Sequence, residues 1–205
     1  TRFLAEHAGK PFFERFMGYS TYWSVADQRR LLSGDLSIDT ESMYSIHRAL
    51  FARCEGLSPL NTMLVTDLCT FLQHLNLENM DKTSMANAVE MRVPFLDHRL
   101  VAFALALPDS DKLHYTERKA ILRRAFKGVL PRRILQRRKT GYSPPVRSWV
   151  RSFMRDEMCD TLFSARAGAR GLWDTAVLET SFAENTSGMA DHSMKLWLLF
   201  VLELW

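Results

Sequence analysis

Apolar residues recur at three- and four-residue steps along this chain, and prolines and glycines cut the runs short. No stretch keeps the two-residue alternation of a half-buried strand. A chain patterned this way folds into short helices joined by tight turns, and no repeat of fixed period points to a solenoid. Asp39 and Thr40 can cap a helix carrying Met43, Ile46, Leu50, Phe51 and Cys54, which Gly56 stops. Ser58 and Pro59 supply a cap and a first-turn proline for the next, with Leu60, Met63, Leu64, Phe71, Leu72 and Leu75 on one stripe. Asp67 lies on or beside that stripe, so it is expected either to meet an arginine or to sit at the edge of the core.

Further on, a helix over 84–92 must end before Pro94, which disfavours helical geometry at Val93. Asp97 caps a helix over 100–107 that stops at Pro108. Thr116 is the expected cap of another, with Arg118 and Lys119 in its first turn and Ile121, Leu122, Ala125, Phe126 and Val129 facing inward. A helix from about Pro145 carries Val146, Trp149, Val150 and Phe153. Leu178 and Phe182 mark one more, and Met194 to Trp205 forms the last. The expected fold class is mainly α.

At 205 residues and 47% apolar content the chain can bury a core. Cys54, Cys69 and Cys159 are odd in number and form no CxxC pair, so neither a disulfide framework nor a zinc site is indicated. A reducing cytoplasmic setting fits best. The last apolar segment has twelve residues and contains Lys195 and Glu203, whereas a membrane span needs about 20 apolar residues. No secretory signal is visible, and His47, His74, His98 and His192 lack metal-ligand spacing.

The net charge is only +4, but Arg118, Lys119, Arg123, Arg124, Lys127, Arg132, Arg133, Arg137, Arg138, Lys139, Arg147 and Arg151 fall in a stretch without Asp or Glu. Such a run either faces an anion or is a solvated face whose charges are offset by acids elsewhere in the fold. Ahead of it lies AVEMRVPFLDH at 88–98, where Glu90, Arg92 and Asp97 crowd opposite charges around Pro94. At its centre Arg137, Arg138 and Lys139 lead into a turn at Gly141, a residue that tolerates positive φ and would let the lysine segment fold over a ligand.

Three strings in order, Asp81-Lys82 before Ser84-Met85-Ala86, then Glu90 to Asp97, then Arg137 to Pro144, resemble motifs of the glutamine-hydrolysing asparagine synthetases. They correspond to the C-terminal part of the ATP-dependent amide-forming domain of that family. The similarity is continuous from about Asp67 to Trp149, with flanks compatible with the same family. The family's SGGxDS nucleotide loop, its later SGxGxDE-like magnesium motif and its N-terminal catalytic cysteine have no counterpart here; Gly34 in Leu-Ser-Gly-Asp-Leu lacks the second glycine and the Asp-Ser. With Thr1 as the first residue, the expectation is a piece of a longer enzyme. It would span residues 1–205 as the helical C-terminal portion of an α/β adenine-nucleotide-hydrolase-like (PP-loop ATPase) domain. The nucleotide loop and the glutaminase domain would lie elsewhere, and the piece alone would be inactive.

The resemblance implies adenylation of the aspartate side chain by ATP, release of pyrophosphate, and attack by glutamine-derived ammonia to give asparagine and AMP. Lys139 matches the lysine that the family assigns to pyrophosphate, and Arg138 and Lys119 are candidate phosphate ligands beside it. Asp81 stands where lactam-forming relatives carry an acid of a catalytic dyad, and is equally a helix cap with Ser84 three residues on. Glu90, Arg92 and Asp97 are expected to be scaffold, the first two as a buried ion pair and the third as a cap. ATP and Mg²⁺ are the expected cofactors, with the main metal ligands outside this chain. The expected partners are aspartate, ATP, ammonia and the N-terminal part of the same protein, with a homodimer as one option and no membrane. Related chemistry forming a lactam or macrocycle shares the adenylation step. A basic all-α module binding nucleic acid would rest on the cationic run alone, without a recognition helix or stacking aromatics, and a non-catalytic interaction protein is a third reading.

Overall fold

The computed structural model describes residues 8–33, 39–114, 117–137 and 144–205. Short helices dominate: α1 (Phe12–Ser20), α2 (Val25–Leu31), α3 (Thr40–Met43), α4 (Ser45–Arg53), α5 (Pro59–Cys69), a π-helical turn (Phe71–Leu77) and α6 (Glu78–Met85). A 3-10 turn (Pro94–Leu96) leads to α7 (His98–Ala106) and α8 (Asp109–Lys112). An antiparallel pair, β1 (Leu113–His114) with β2 (Glu117–Arg118), precedes α9 (Ala120–Ala125) and α10 (Arg132–Leu135). The chain closes with α11 (Val146–Arg151), α12 (Arg155–Leu162), α13 (Ala165–Arg170), α14 (Thr175–Ser187) and α15 (Ser193–Leu204). The fold is thus mainly α, and no described helix is long and apolar enough to cross a membrane.

The residues divide into two compact units, one built from Thr1–Tyr44 with Gly141–Trp205 and the other from Ser45–Thr140. The terminal unit holds the contiguous core: Leu31, Val146, Val150, Met158, Leu162, Leu178, Leu196, Leu199 and Phe200. Its two chain segments are stitched by backbone bonds from Asp174 N to Leu31 O (2.6 Å) and from Ser33 N to Leu172 O (3.1 Å). Lys195 adds an ion pair to Asp27 at 2.7 Å. Inside the unit the buried Glu203 accepts from Arg170 and from the Trp173 indole, both at 2.9 Å. Buried Asn185 accepts from the His192 backbone and from Ser193 Oγ, each at 3.0 Å. Each carboxylate or amide taken from water therefore has a partner.

The middle unit buries far less, with Cys54, Thr62, Thr66 and Ala120 its fully buried residues. The stripe expected from Leu60 to Leu75 does not form. On α5 the buried residues are Thr62 and Thr66, while Phe71 and Leu75 are more than half exposed. Two physical facts account for this. Thr66 Oγ1 donates to Thr62 O at 2.8 Å, which makes a threonine hydroxyl buriable. The π-helical turn then adds residues per turn and rotates Phe71 and Leu75 off the face that Leu60 and Leu64 define. Phe153, expected inward, is exposed because α11 ends at Arg151 and the chain turns at Ser152.

Candidate functional site

The residues of the first two motifs lie in the middle unit. Arg138, Lys139 and Gly141, and with them the proposed pyrophosphate contact, lie outside the described residues. Arg137, the first of the run, is exposed.

Asp81 sits in the first turn of α6, which continues from the π-helical turn with Leu77 still helical, so no N-terminus exists for Asp81 to cap. Its backbone carbonyl accepts from Ser84 Oγ at 3.1 Å, and its exposed carboxylate has no ion-pair partner among the described residues. One residue on, Lys82 is engaged with Glu78 at 2.5 Å. The expected helix over 84–92 is also corrected: α6 ends at Met85. Val89 N and Ala88 N close the turn on Ser84 O (3.0 Å) and Met85 O (2.9 Å), with Ala88 at φ 54°. A left-handed alanine costs about 1 kcal/mol or more, which breaks any continuation of the helix.

From there the chain is non-helical to Pro94, and Val93 takes φ −120°, ψ 77°, as the following proline demands. Glu90 and Arg92 do pair, at 2.6 Å, but with side-chain exposures of 69% and 82%, so the expected buried ion pair is a surface one. The reason is local: in a non-helical segment the two side chains meet beside the backbone with nothing packed over them. Asp97 behaves as expected. It caps α7 by accepting from Arg99 N at 2.9 Å and takes the Arg99 guanidinium on both oxygens at 3.0 and 2.8 Å. Those bonds hold its carboxyl below the ordinary aspartate value.

Lys119 is not in a first helical turn, and neither is Arg118. Arg118 belongs to β2, and Lys119 is the left-handed residue (φ 59°) where the hairpin gives way to α9; its ammonium is exposed and has no ion-pair partner among the described residues. Thr116, the expected cap, lies outside the described residues. Phe126 and Val129, expected inward, are exposed because α9 ends at Ala125.

Along the rest of the cationic run, several charges are already met inside the fold. Arg124 pairs with Asp111, Arg147 with Asp191, and Arg151 reaches Ala190 O at 3.3 Å. Partial burial pushes the Asp191 carboxyl up, but bonds from Ser193 and the charges of Arg147 and Arg151 outweigh it and leave the pKa lowered. The solvated-face reading thus holds for this part of the run. Asp67 is exposed and meets no arginine among the described residues. Partial desolvation of its carboxyl raises its pKa, and His47 pulls it partly back.

What the sequence did not mark is the brace beneath these motifs. Lys112, only 11% exposed, donates to Asn61 Oδ1 at 2.5 Å and to Leu105 O at 2.9 Å, while Ser58 Oγ donates to Asp109 at 3.0 Å. These bonds tie the start of α5 to α7 and α8, the helices that follow the Asp97 cap. Only the Ser58-Pro59 cap gave any local signal of it. Among the described residues no group of three or more His, Cys, Asp or Glu could hold a metal ion.

Short helices, a left-handed break ahead of Pro94 and a capping aspartate after it place the first two motifs on one helical unit. Residues 3–205 match the asparagine synthase family, and the chain belongs to it. It is 35% identical over 193 residues to proteins of Mycobacterium bovis and Mycobacterium tuberculosis named putative asparagine synthetase [glutamine-hydrolyzing], covering 94% of this chain and 29% of each relative. It is 27% identical over 202 residues to asparagine synthetase [glutamine-hydrolyzing] 1 of Bacillus subtilis, covering 98% of this chain and 31% of that protein. The chain therefore spans under a third of the length of these relatives. No solved structure matches it.

Proposed function

We propose that this chain supplies the helical C-terminal portion of the amide-forming domain of an ATP-dependent ligase, one that activates the side-chain carboxylate of aspartate and transfers glutamine-derived ammonia to it. The observation that carries this reading is the family match along almost the whole chain, with the linked motifs in order. The exposed apolar side chains around those motifs, Phe71, Leu75, Met85, Val89, Met91 and Phe95, support it as well. A unit with so little interior of its own is fitted to pack against further protein.

In the first step an aspartate oxygen attacks the α-phosphorus of ATP, the bond to the bridging oxygen breaks, and pyrophosphate leaves. In the second, ammonia adds to the acyl carbon, a proton is lost from nitrogen, and AMP departs with the C–O bonding pair. Lys139, with Arg138, would hold the charge that builds on the leaving pyrophosphate, where a fixed cation in a water-excluded site acts far more strongly than in bulk water. Lys119 would be an outer phosphate contact. The exposed carboxylate of Asp81, without an ion-pair partner among the described residues, suits it to take the nitrogen proton. Glu90, Arg92 and Asp97 would shape the segment between them. ATP and magnesium are the cofactors this reading requires, and it assigns no metal ligand to this chain. The cytoplasm is the expected compartment.

The test is pyrophosphate release with aspartate, ATP and ammonia by the full gene-encoded polypeptide and its Lys139→Ala form. Release should fall at least about 100-fold with the circular dichroism spectrum unchanged. Near-normal release by the variant removes the role of Lys139, and no release by the parent removes the aspartate reading.

A further inference from the structure

Lys112, the last residue of α8, is a costly choice for its place. Its ammonium is largely withdrawn from water, yet its two close partners are neutral oxygens, Asn61 Oδ1 at 2.5 Å and Leu105 O at 2.9 Å. The carboxylate within reach among the described residues, Asp109, stands at 4.0 Å and already accepts from Ser58. A cation held this way adds little stability that a well-packed apolar side chain would not. What an apolar side chain could not do is tie the start of α5 and the end of α7 to one point. Through its backbone the same residue reaches the other way. Lys112 O accepts from Lys119 N at 3.0 Å across the β1–β2 pair, and Lys119 O accepts in turn from Arg123 N at 3.0 Å as α9 begins. A second tie joins α8 to α9 through the Asp111–Arg124 ion pair. Lys119 is thus gripped at both its N–H and its C=O, and it holds φ 59°, ψ 39°. Among the described residues other than glycine, Ala88 and Lys119 alone have positive φ. A residue with a side chain stays in that region only where its surroundings over-determine it, and such residues gather at ligand sites. Ala88 closes a turn and carries no functional group, whereas Lys119 carries an exposed ammonium without an ion-pair partner among the described residues.

We infer that Lys112 is a positioning residue for nucleotide binding. Its ammonium fixes the corner between α8 and β1, the corner fixes Lys119 in the left-handed conformation, and that conformation sets where the Lys119 ammonium meets the phosphates of ATP. The inference rests on the reading of Lys119 as a phosphate contact and adds what holds that contact in place. Lys112, engaged inside the fold, touches no ligand itself. Without its bonds to Asn61 and Leu105 the corner loosens, and Lys119 relaxes to an ordinary negative φ that swings its side chain away. A displacement of about 1 Å at such a contact can cost as much as about 100-fold.

Titration calorimetry of ATP into the gene-encoded polypeptide, with magnesium present, compares the parent with Lys112→Met, Lys119→Met and the double variant. Lys119→Met should weaken ATP binding about tenfold, the scale of one charge-assisted contact. Lys112→Met should raise Kd at least about fivefold in the parent, but by less than about twofold in the Lys119→Met background, because it acts through Lys119. A merely structural Lys112 would instead lower the fraction of competent molecules, read as stoichiometry, and leave Kd alone. Should Lys112→Met fail to fold, Asn61→Ala, which takes one oxygen from the Lys112 ammonium, carries the same cycle in milder form. Equal losses in both backgrounds, or an unchanged Kd in the folded brace variant, overturn the role of Lys112 and leave the reading of Lys119 standing. An unchanged Kd in Lys119→Met removes Lys119 from the phosphates and the inference with it. No ATP binding by the parent removes the nucleotide reading and the inference together.

Discussion

The Lys195 ammonium meets the Asp27 carboxylate at 2.7 Å, closing a loop of 168 residues between the last helix and the second. Burial alone would raise the Asp27 pKa. The Lys195 hydrogen bond and charge, with the Ser24 bonds, outweigh it and leave the pKa lowered. A carboxylate with a depressed folded-state pKa contributes stability that is present above its unfolded value and is lost as pH falls through the folded one. Both side chains are part exposed, so solvent screening reduces the pair to about 1 kcal/mol. Asp27→Asn should therefore lower the unfolding free energy by about that amount at pH 7, and the difference from the parent should shrink towards zero below about pH 3. Urea titrations at the two pH values measure it; an equal cost at both would show that the charge is not what matters.

Glu203 has a stricter environment, with 3% of its side chain exposed and two donors aimed at it. Glu203→Ala strands the Arg170 charge and the Trp173 N–H together. Since Arg170 can partly reach water, the cost should sit at the lower end for a broken buried pair, about 3 kcal/mol. Denaturation followed by tryptophan fluorescence would detect it, and a loss under about 1 kcal/mol would contradict the burial described.

The Glu90–Arg92 pair makes the opposite prediction. Being exposed on both sides, it should be worth no more than about 0.5 kcal/mol, so Glu90→Ala in this chain should leave the melting curve nearly in place. A drop of several kcal/mol would mean that something covers the pair.

Asp67 has a raised pKa, so its ionisation opposes folding: relative stability is greatest below its unfolded value and declines as pH rises through the folded one. Asp67→Asn should stabilise the chain by a few tenths of a kcal/mol at pH 7, a small effect because the residue is exposed, and by nothing at pH 3. Matched melts at both values decide it, and destabilisation at pH 7 would refute the sign.

Asp81 caps nothing and pairs with nothing charged among the described residues, so its removal should be structurally silent. In the gene-encoded polypeptide, Asp81→Asn should leave the melting temperature unchanged while slowing amide formation by roughly 100-fold or more, the usual scale for a lost proton acceptor. Unchanged turnover would remove Asp81 from the chemistry.

Local chemistry was legible in the sequence wherever a cap or a breaker acts within a few residues. Asp39, Ser58 and Asp97 each accept from a backbone N–H two or three residues on, and Pro94 keeps Val93 out of the helix. The linked motifs likewise led to the family. What stayed hidden depends on distance or on register. Nothing near Asp27 announces Lys195, nothing near Asn61 announces Lys112, and neither the π-helical turn after Thr70 nor the left-handed Ala88 has a glycine or proline to mark it. Spacing alone also cannot tell a salt bridge under side chains from one in water, which is why Glu90 and Arg92 were expected inside.

The stitching of α2 to the segment around Leu172 and Asp174 carries a consequence for how the polypeptide is made. During synthesis the Asp27 region leaves the ribosome 168 residues before Lys195 does, a wait of about 10 to 30 s at ordinary elongation rates. Through that interval Trp23 and Leu31 have no core to enter. Helices α1 and α2 are thus natural clients for a chaperone until α15 has been made.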